Sequence, residues 1–185
     1  MSSTRTVRAV ALRYDATSIA LHWTTALLVA ALWIIGQTIN DWPKGPLRVD
    51  YRSVHILLGT LLGCVIVARL AWRAARGARL PIEGSVLLAF AARAVHWALY
   101  ALVGVTVVLG LLTAFGQGDS LFGLFSLPTY AAPHATLPHT LRNWHSLCAD
   151  AILVLAGLHA AAALGHHYVL RDPTLRRMLP RRLGG

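Results

Sequence analysis

Hydrophobic residues in this chain fall into four long runs, separated by short polar or basic segments and almost free of charge within each run. The runs cover approximately residues 16–38, 53–72, 94–116 and 143–168. Each is close to the ~20 residues an α-helix needs to cross the hydrocarbon core of a bilayer. Asn40-Asp41-Trp42-Pro43-Lys44-Gly45-Pro46 breaks the chain after the first run, and residues 77–84, with Pro81, break it after the second. Such short connections join antiparallel neighbours. The pattern therefore predicts an all-α integral membrane protein, one domain over 1–185, built as a four-transmembrane-helix up-down-up-down bundle. The longest connection, 117–141, carries Pro128, Pro133, Pro138, His134 and His139. Its stretch 121–125 is apolar enough to lie in the membrane interface, or alternatively to form a lid over an outward-facing site.

Composition agrees with the pattern: of 185 residues 56% are hydrophobic and 13% charged, and the mean hydropathy is +0.58. A water-soluble domain is excluded on these grounds. The formal net charge of +10 would suit nucleic acid, but the basic residues sit at the ends of the apolar runs instead of forming a solvated face. Arg5, Arg8 and Arg13 precede the first run, Arg69, Arg73, Arg76, Arg79 and Arg93 lie between the second and third, and Arg171, Arg176, Arg177, Arg181 and Arg182 follow the fourth. That is 13 of the 17 Lys and Arg, against Lys44, Arg48, Arg52 and Arg142 on the other side. The positive-inside rule then places both termini in the cytoplasm, with membrane lipid as partner and no nucleic acid. Cys64 and Cys148 define no disulfide framework and read as small buried packing residues. No cleavable signal peptide is expected, the first run serving as its own insertion signal.

Histidine is the unusual residue. Of nine, His22, His55, His96, His145 and His159 fall within or at the edge of the apolar runs, where ionisable residues point to function. His145 and His159 are 14 residues apart on the fourth span, nearly four full turns, so both lie on one face about 21 Å apart. His55 enters its span from the same side as His145 and reaches about the same depth. His22 enters from the opposite side and matches His159. Two pairs at two depths, His55 with His145 and His22 with His159, form the arrangement that grips a planar cofactor through its central iron, which predicts two bis-histidine b haems. A structural zinc site wants four close N or S ligands, and each level offers only two histidines plus His96. A proton relay would not need two matched pairs.

Arg52 and Arg142 each precede a histidine by three residues, one turn further out, and suit haem propionates or, as span-end arginines, lipid headgroups. Arg69 lies 14 residues after His55, at the edge of the inner level. His96 belongs to that level too, and reads as a neighbour of the haem, with ligation in place of His22 or a quinone pocket as alternatives. Gly59 and Gly63 permit close approach to the second span. Asp150 faces the outer side or takes part in proton uptake.

His22-Trp23, Ser53-Val54-His55-Ile56-Leu57-Leu58-Gly59, Trp144-His145, Gly157-Leu158-His159 and the tail from Arg171 to Pro180 together resemble the bacterial cytochromes b561, over nearly the whole chain. The resemblance implies a protein of the bacterial cytoplasmic membrane with two haems b at positions matching His22, His55, His145 and His159. It also implies superoxide oxidase activity, passing electrons from periplasmic superoxide to ubiquinone. Related four-helix cytochromes serve as quinone-reactive subunits for a partner dehydrogenase or hydrogenase, which is the alternative reading, a haem-free transporter or scaffold being the remaining one.

Overall fold

The computed structural model describes residues 13–76, 86–132 and 135–180. Arg5, Arg8, Arg79, Arg181, Arg182, Pro81, Pro133 and His134 lie outside the described residues. Four helices dominate: α1 (Ala16–Thr38), α2 (Pro46–Ala75), α3 (Val86–Gln117) and α4 (Leu137–Tyr168). All four are long and apolar enough to cross a membrane. Three of them begin before the apolar runs do, because hydropathy marks only the stretch inside hydrocarbon while backbone hydrogen bonding continues into the headgroup zone. Thus α2 opens on Pro46, which occupies the first turn, where no amide donor is needed. Pro138 does the same for α4.

Asp15 caps α1, its carboxylate accepting from the Ser18 amide at 2.9 Å and the Ser18 hydroxyl at 2.6 Å. It also accepts from Trp72 Nε1 at 3.0 Å, tying the start of α1 to the end of α2. Desolvation pushes this carboxyl up, but the Ser18 and Trp72 hydrogen bonds outweigh it and hold the group below the usual 3.8.

The bundle is inside out relative to a soluble one: Leu27, Val67, Phe90 and Val154 are exposed on its outer surface, where lipid replaces water. Cys64 is exposed as well, contrary to the expectation of a buried packing residue, and Cys148 is half-buried; both are free. A membrane removes the penalty that would drive such residues inward, so burial does not follow from apolarity here. The interior holds a cluster of Leu32, Leu62, Ile66, Val103 and Ile152, with Leu58, Tyr100 and Val107 against it. Ile152 stands midway between His145 and His159 in sequence, and Leu62 seven residues after His55, so this cluster forms an apolar septum between two histidine levels. The level nearer the chain termini is called inner below, and the other outer.

At the outer end, α3 runs into a small antiparallel hairpin, β1 (Ser120–Leu121) and β2 (Phe125–Ser126), with Leu121 opposite Phe125. Phe122 and Gly123 at its turn both have left-handed backbone, φ 53° and 68°. Phe122 is held in that conformation by its amide donating to the Ser53 hydroxyl at 2.8 Å. Ser53 is fully buried and also bonds to the Val49 and Ser120 carbonyl oxygens. The hairpin is therefore bolted to α2, and its tip residue Leu124 is 82% exposed. At the inner end the tail folds back: Trp23 Nε1 donates to the Met178 carbonyl at 2.9 Å, and the Tyr14 amide to the Arg177 carbonyl at 3.2 Å. His166 Nδ1 pairs with the Asp172 carboxylate, fixing the turn between α4 and the tail.

Candidate functional site

At the outer level His55 on α2 faces His145 on α4, ring centres 6.1 Å apart and planes at 75°. His145 Nδ1 donates to the Thr106 carbonyl at 2.8 Å. A carbonyl only accepts, so the hydrogen is on Nδ1 and the lone pair of Nε2 is free to bind a metal. Nδ1 of His55 is buried without a partner among the described residues. Both rings stand in gaps left by glycine. A Cβ on Gly110 would lie 2.9 Å from His145 Cε1, and one on Gly36 would lie 3.3 Å from His55 Cε1. Around the pair opens a cavity of about 390 Å³, bounded by all four helices. Gly59 lines it with open space beside its Cα.

Arg52 and Arg142 line the mouth of this cavity, as the sequence predicts, but neither stands free. Arg52 Nη1 pairs with Asp119 at 2.8 Å, and Arg142 Nη2 donates to Gln117 Oε1 at 2.7 Å. Arg48 is occupied in the loop between α1 and α2, donating to the carbonyl oxygens of Asn40 and Trp42.

At the inner level His22 on α1 faces His159 on α4, centres 6.4 Å apart and planes at 70°. His96 on α3 approaches the same His159 more closely, at 5.2 Å. Arg69 Nη2 donates to His22 Nδ1 at 2.9 Å, and its guanidinium lies 5.2 Å from the Tyr100 ring centre. Arginine has no acceptor, so Nδ1 of His22 accepts and the neutral ring carries its hydrogen on Nε2. Binding a metal through Nε2 requires that hydrogen to leave or the Arg69 contact to break. The Trp23 ring packs edge-on against His22, 5.6 Å between centres.

These separations test the fit to a metal between two imidazoles. A metal–nitrogen bond of about 2.0–2.1 Å, with the ring centre about 1.1 Å beyond the nitrogen for C–N bonds near 1.33 Å, puts opposed ring centres about 6.2–6.4 Å apart. The pairs at 6.1 and 6.4 Å come within about 0.1 Å of that span. The 5.2 Å pair of His96 and His159 is a full ångström too close. No cluster of three or more His, Cys, Asp or Glu suited to a metal ion occurs among the described residues. Each level thus offers one facing histidine pair, and the outer pair has an open cavity beside it.

The sequence brings out every histidine and arginine gathered here. It misses Gly36, Gly110, the Thr106 carbonyl, Gln117 and Asp119. A glycine inside a span gives no indication which neighbouring ring needs its missing Cβ, and a backbone acceptor leaves no mark in the residue pattern.

Four helices long and apolar enough to cross a membrane, with two facing histidine pairs inside the bundle, define a multi-pass membrane protein. The sequence matches the prokaryotic cytochrome b561 family over residues 13–181, and the chain belongs to that family. It is 33% identical over 177 residues to cytochrome b561 homolog 2 of Escherichia coli (strain K12), covering 90% of this chain and 91% of the relative. It is 30% identical over 176 residues to a probable superoxide oxidase CybB of Yersinia pestis, covering 93% and 98%, and 30% identical over 171 residues to a cytochrome b562 of Cereibacter sphaeroides, covering 90% and 94%. The protein is thus a haem-binding electron-transfer protein of the bacterial inner membrane.

Proposed function

We propose that this chain holds two haems b, one between His55 and His145 and one between His22 and His159, and that it carries electrons from superoxide to a quinone in the membrane. The observation that carries this reading is the spacing of the two pairs, 6.1 and 6.4 Å, at two levels of one bundle. His96, at 5.2 Å from His159, then acts beside the inner haem and not as its ligand. Bound haem would supply a one-electron carrier at each level.

The residues of the chain set the conditions for that transfer. The hydrogen bond from His145 to the Thr106 carbonyl fixes the ring orientation and strengthens Nε2 as a donor. The Leu32–Leu62–Ile66–Val103–Ile152 septum keeps water out between the levels, which lie about 21 Å apart along α4. Arg52 and Arg142 suit the carboxylates of a haem at the cavity mouth, while Arg69 places a cation beside the inner pair. With both termini in the cytoplasm, the outer mouth faces the periplasm, where its arginines favour a small anion. Two superoxide anions each give up one electron and leave as dioxygen. One quinone takes up those two electrons with two protons and leaves as quinol. The similarity to a probable superoxide oxidase supports this choice of substrate.

The test is a dithionite-reduced minus oxidised spectrum of the purified chain with pyridine-haemochrome quantitation, followed by superoxide-driven reduction of a short-chain ubiquinone. Two haems per chain and turnover by the isolated protein are expected. One haem or none overturns the paired reading. Two haems without turnover assign the chain instead to a subunit that needs a redox protein partner.

A further inference from the structure

Asp150 is a carboxylate on the outer surface of a membrane-spanning helix, exposed and 13 residues into α4, about 20 Å from its start. It lies five residues beyond His145, about 7.5 Å deeper into the bilayer. A carboxylate facing hydrocarbon is expensive, and where one occurs it marks a ligand or proton path. Its surroundings are organised around one of its two oxygens. Oδ1 accepts from Trp33 Nε1 at 3.0 Å and from Gln37 Nε2 at 3.3 Å, both on α1. Oδ2 makes no hydrogen bond among the described residues, and the residue is exposed. The two donors do more than anchor the carboxylate. Trp33 and Gln37 also line the cavity that holds His55 and His145. Asp150 therefore contacts two residues that line the cavity of the outer pair, at the seam of α1 and α4.

We propose that Asp150, backed by Trp33 and Gln37, is the head-group site for a quinone that enters sideways from the bilayer. This rests on the quinone reading given above and places it. A molecule dissolved in hydrocarbon, carrying ring oxygens and a flat apolar body, matches what the seam offers. The free Oδ2 accepts from a quinol hydroxyl when ionised and donates to a quinone carbonyl when protonated. The Trp33 indole provides an aromatic surface beside it. The position brings the ring to the cavity wall, next to the level where an electron would arrive or leave. Trp33 stands five residues inside the outer end of α1 and Gln37 one residue inside it, so the site runs from the last turn of α1 into the apolar stretch of α4.

The experiment uses the full-length, haem-loaded chain in lipid nanodiscs, with a short-chain ubiquinone as probe. Binding is read by equilibrium titration, haem content by pyridine haemochrome and oligomeric state by light scattering. Asp150→Leu is expected to weaken quinone binding by roughly tenfold or more, the usual loss on removing a hydrogen bond to a charged group. Haem content should stay as in the parent. Asp150→Asn, which keeps the shape and one acceptor oxygen, should fall between the two. If Asp150→Leu fails to load haem, Gln37→Leu takes its place with the same expected loss of binding. Unchanged affinity in a haem-loaded variant overturns this assignment alone and leaves the quinone reading standing. No binding to the parent chain overturns both. A change of oligomeric state with affinity unchanged turns the cluster into a contact between copies of the chain, which also overturns the proposal.

Discussion

Gly110 and His145 show how narrow the tolerance of the outer pair is. The His145 ring is held from one side by the Thr106 carbonyl at 2.8 Å, and a Cβ on Gly110 would stand 2.9 Å from its Cε1 and 3.1 Å from its Nδ1. The first of these is shorter than real Cβ contacts, so Gly110→Ala must shift the ring against its acceptor. The expected outcome is loss of the outer haem, read as about one haem per chain where the parent has two. Gly36→Ala presses on His55 at 3.3 Å, a gap that a shift of a few tenths of an ångström relieves, and should retain both. The inner level poses a different question, because three histidines meet there. The proposed ligands there are His22 and His159, so His22→Ala should remove the inner haem and leave the outer one. His96→Ala should keep both and move only the inner midpoint potential. Loss of the inner haem from His96→Ala, with retention in His22→Ala, would reverse the assignment.

Two elements at opposite ends of the bundle act as fasteners, and each can be released separately. At the outer end Ser53 holds the hairpin. With Ser53→Ala, the Phe122 amide loses its acceptor in a part-buried place, at a cost of about 1 kcal/mol. Faster hydrogen exchange at Phe122 and a lower thermal midpoint are expected, and unchanged exchange would show that the hairpin is held elsewhere. At the inner end the tail turn depends on Asp172. Desolvation pushes that carboxyl up, but hydrogen bonds from His166 and Thr174 pull it further the other way, to about 2 from 3.8. A depressed carboxyl stabilises the fold above its ordinary value and loses that contribution as pH falls through the depressed one. The tail should therefore stay docked from neutral pH to about 4 and release between about 4 and 2, followed by exchange of the Tyr14 amide that bonds to Arg177. These fasteners also mark where the sequence stops being informative. The four spans, the histidine levels and the arginines at their edges are written in periodicity and hydropathy, because the bilayer forces helices and makes each intramembrane histidine conspicuous. The partners of those arginines are not. Arg52 meets Asp119 across 67 positions, and the hairpin that brings them together rests on a serine hydroxyl and two left-handed residues. Contacts of that kind depend on three-dimensional closure and carry no local pattern.

For the whole molecule the open quantity is direction across the membrane. The structure distinguishes the two ends by their contents: a 390 Å³ cavity with Arg52, Arg142 and the hairpin at one, and His22, His96, Arg69 and the docked tail at the other. The sequence predicts which end meets the periplasm, since 13 of the 17 Lys and Arg fall in the segments before the first apolar run, between the second and third, and after the fourth. Superoxide is a charged species that crosses hydrocarbon poorly, so the proposed activity needs the cavity mouth on the side where the anion arises. Leu124 at the hairpin tip offers a direct reporter, being 82% exposed and outside the spans. In a background where Cys64 and Cys148 are replaced by serine, Leu124→Cys should react with a membrane-impermeant maleimide in intact cells whose outer membrane has been made permeable. A cysteine placed at Val169, just past the end of α4 and exposed, should react only after the inner membrane is opened. Both sites lie outside the haem pairs, so labelling can be scored on protein that retains its spectrum. The reverse pattern would put the His55–His145 level against the cytoplasm. Superoxide from the periplasm would then have no access to the arginine-lined mouth, and the electron source would have to be sought among cytoplasmic donors instead.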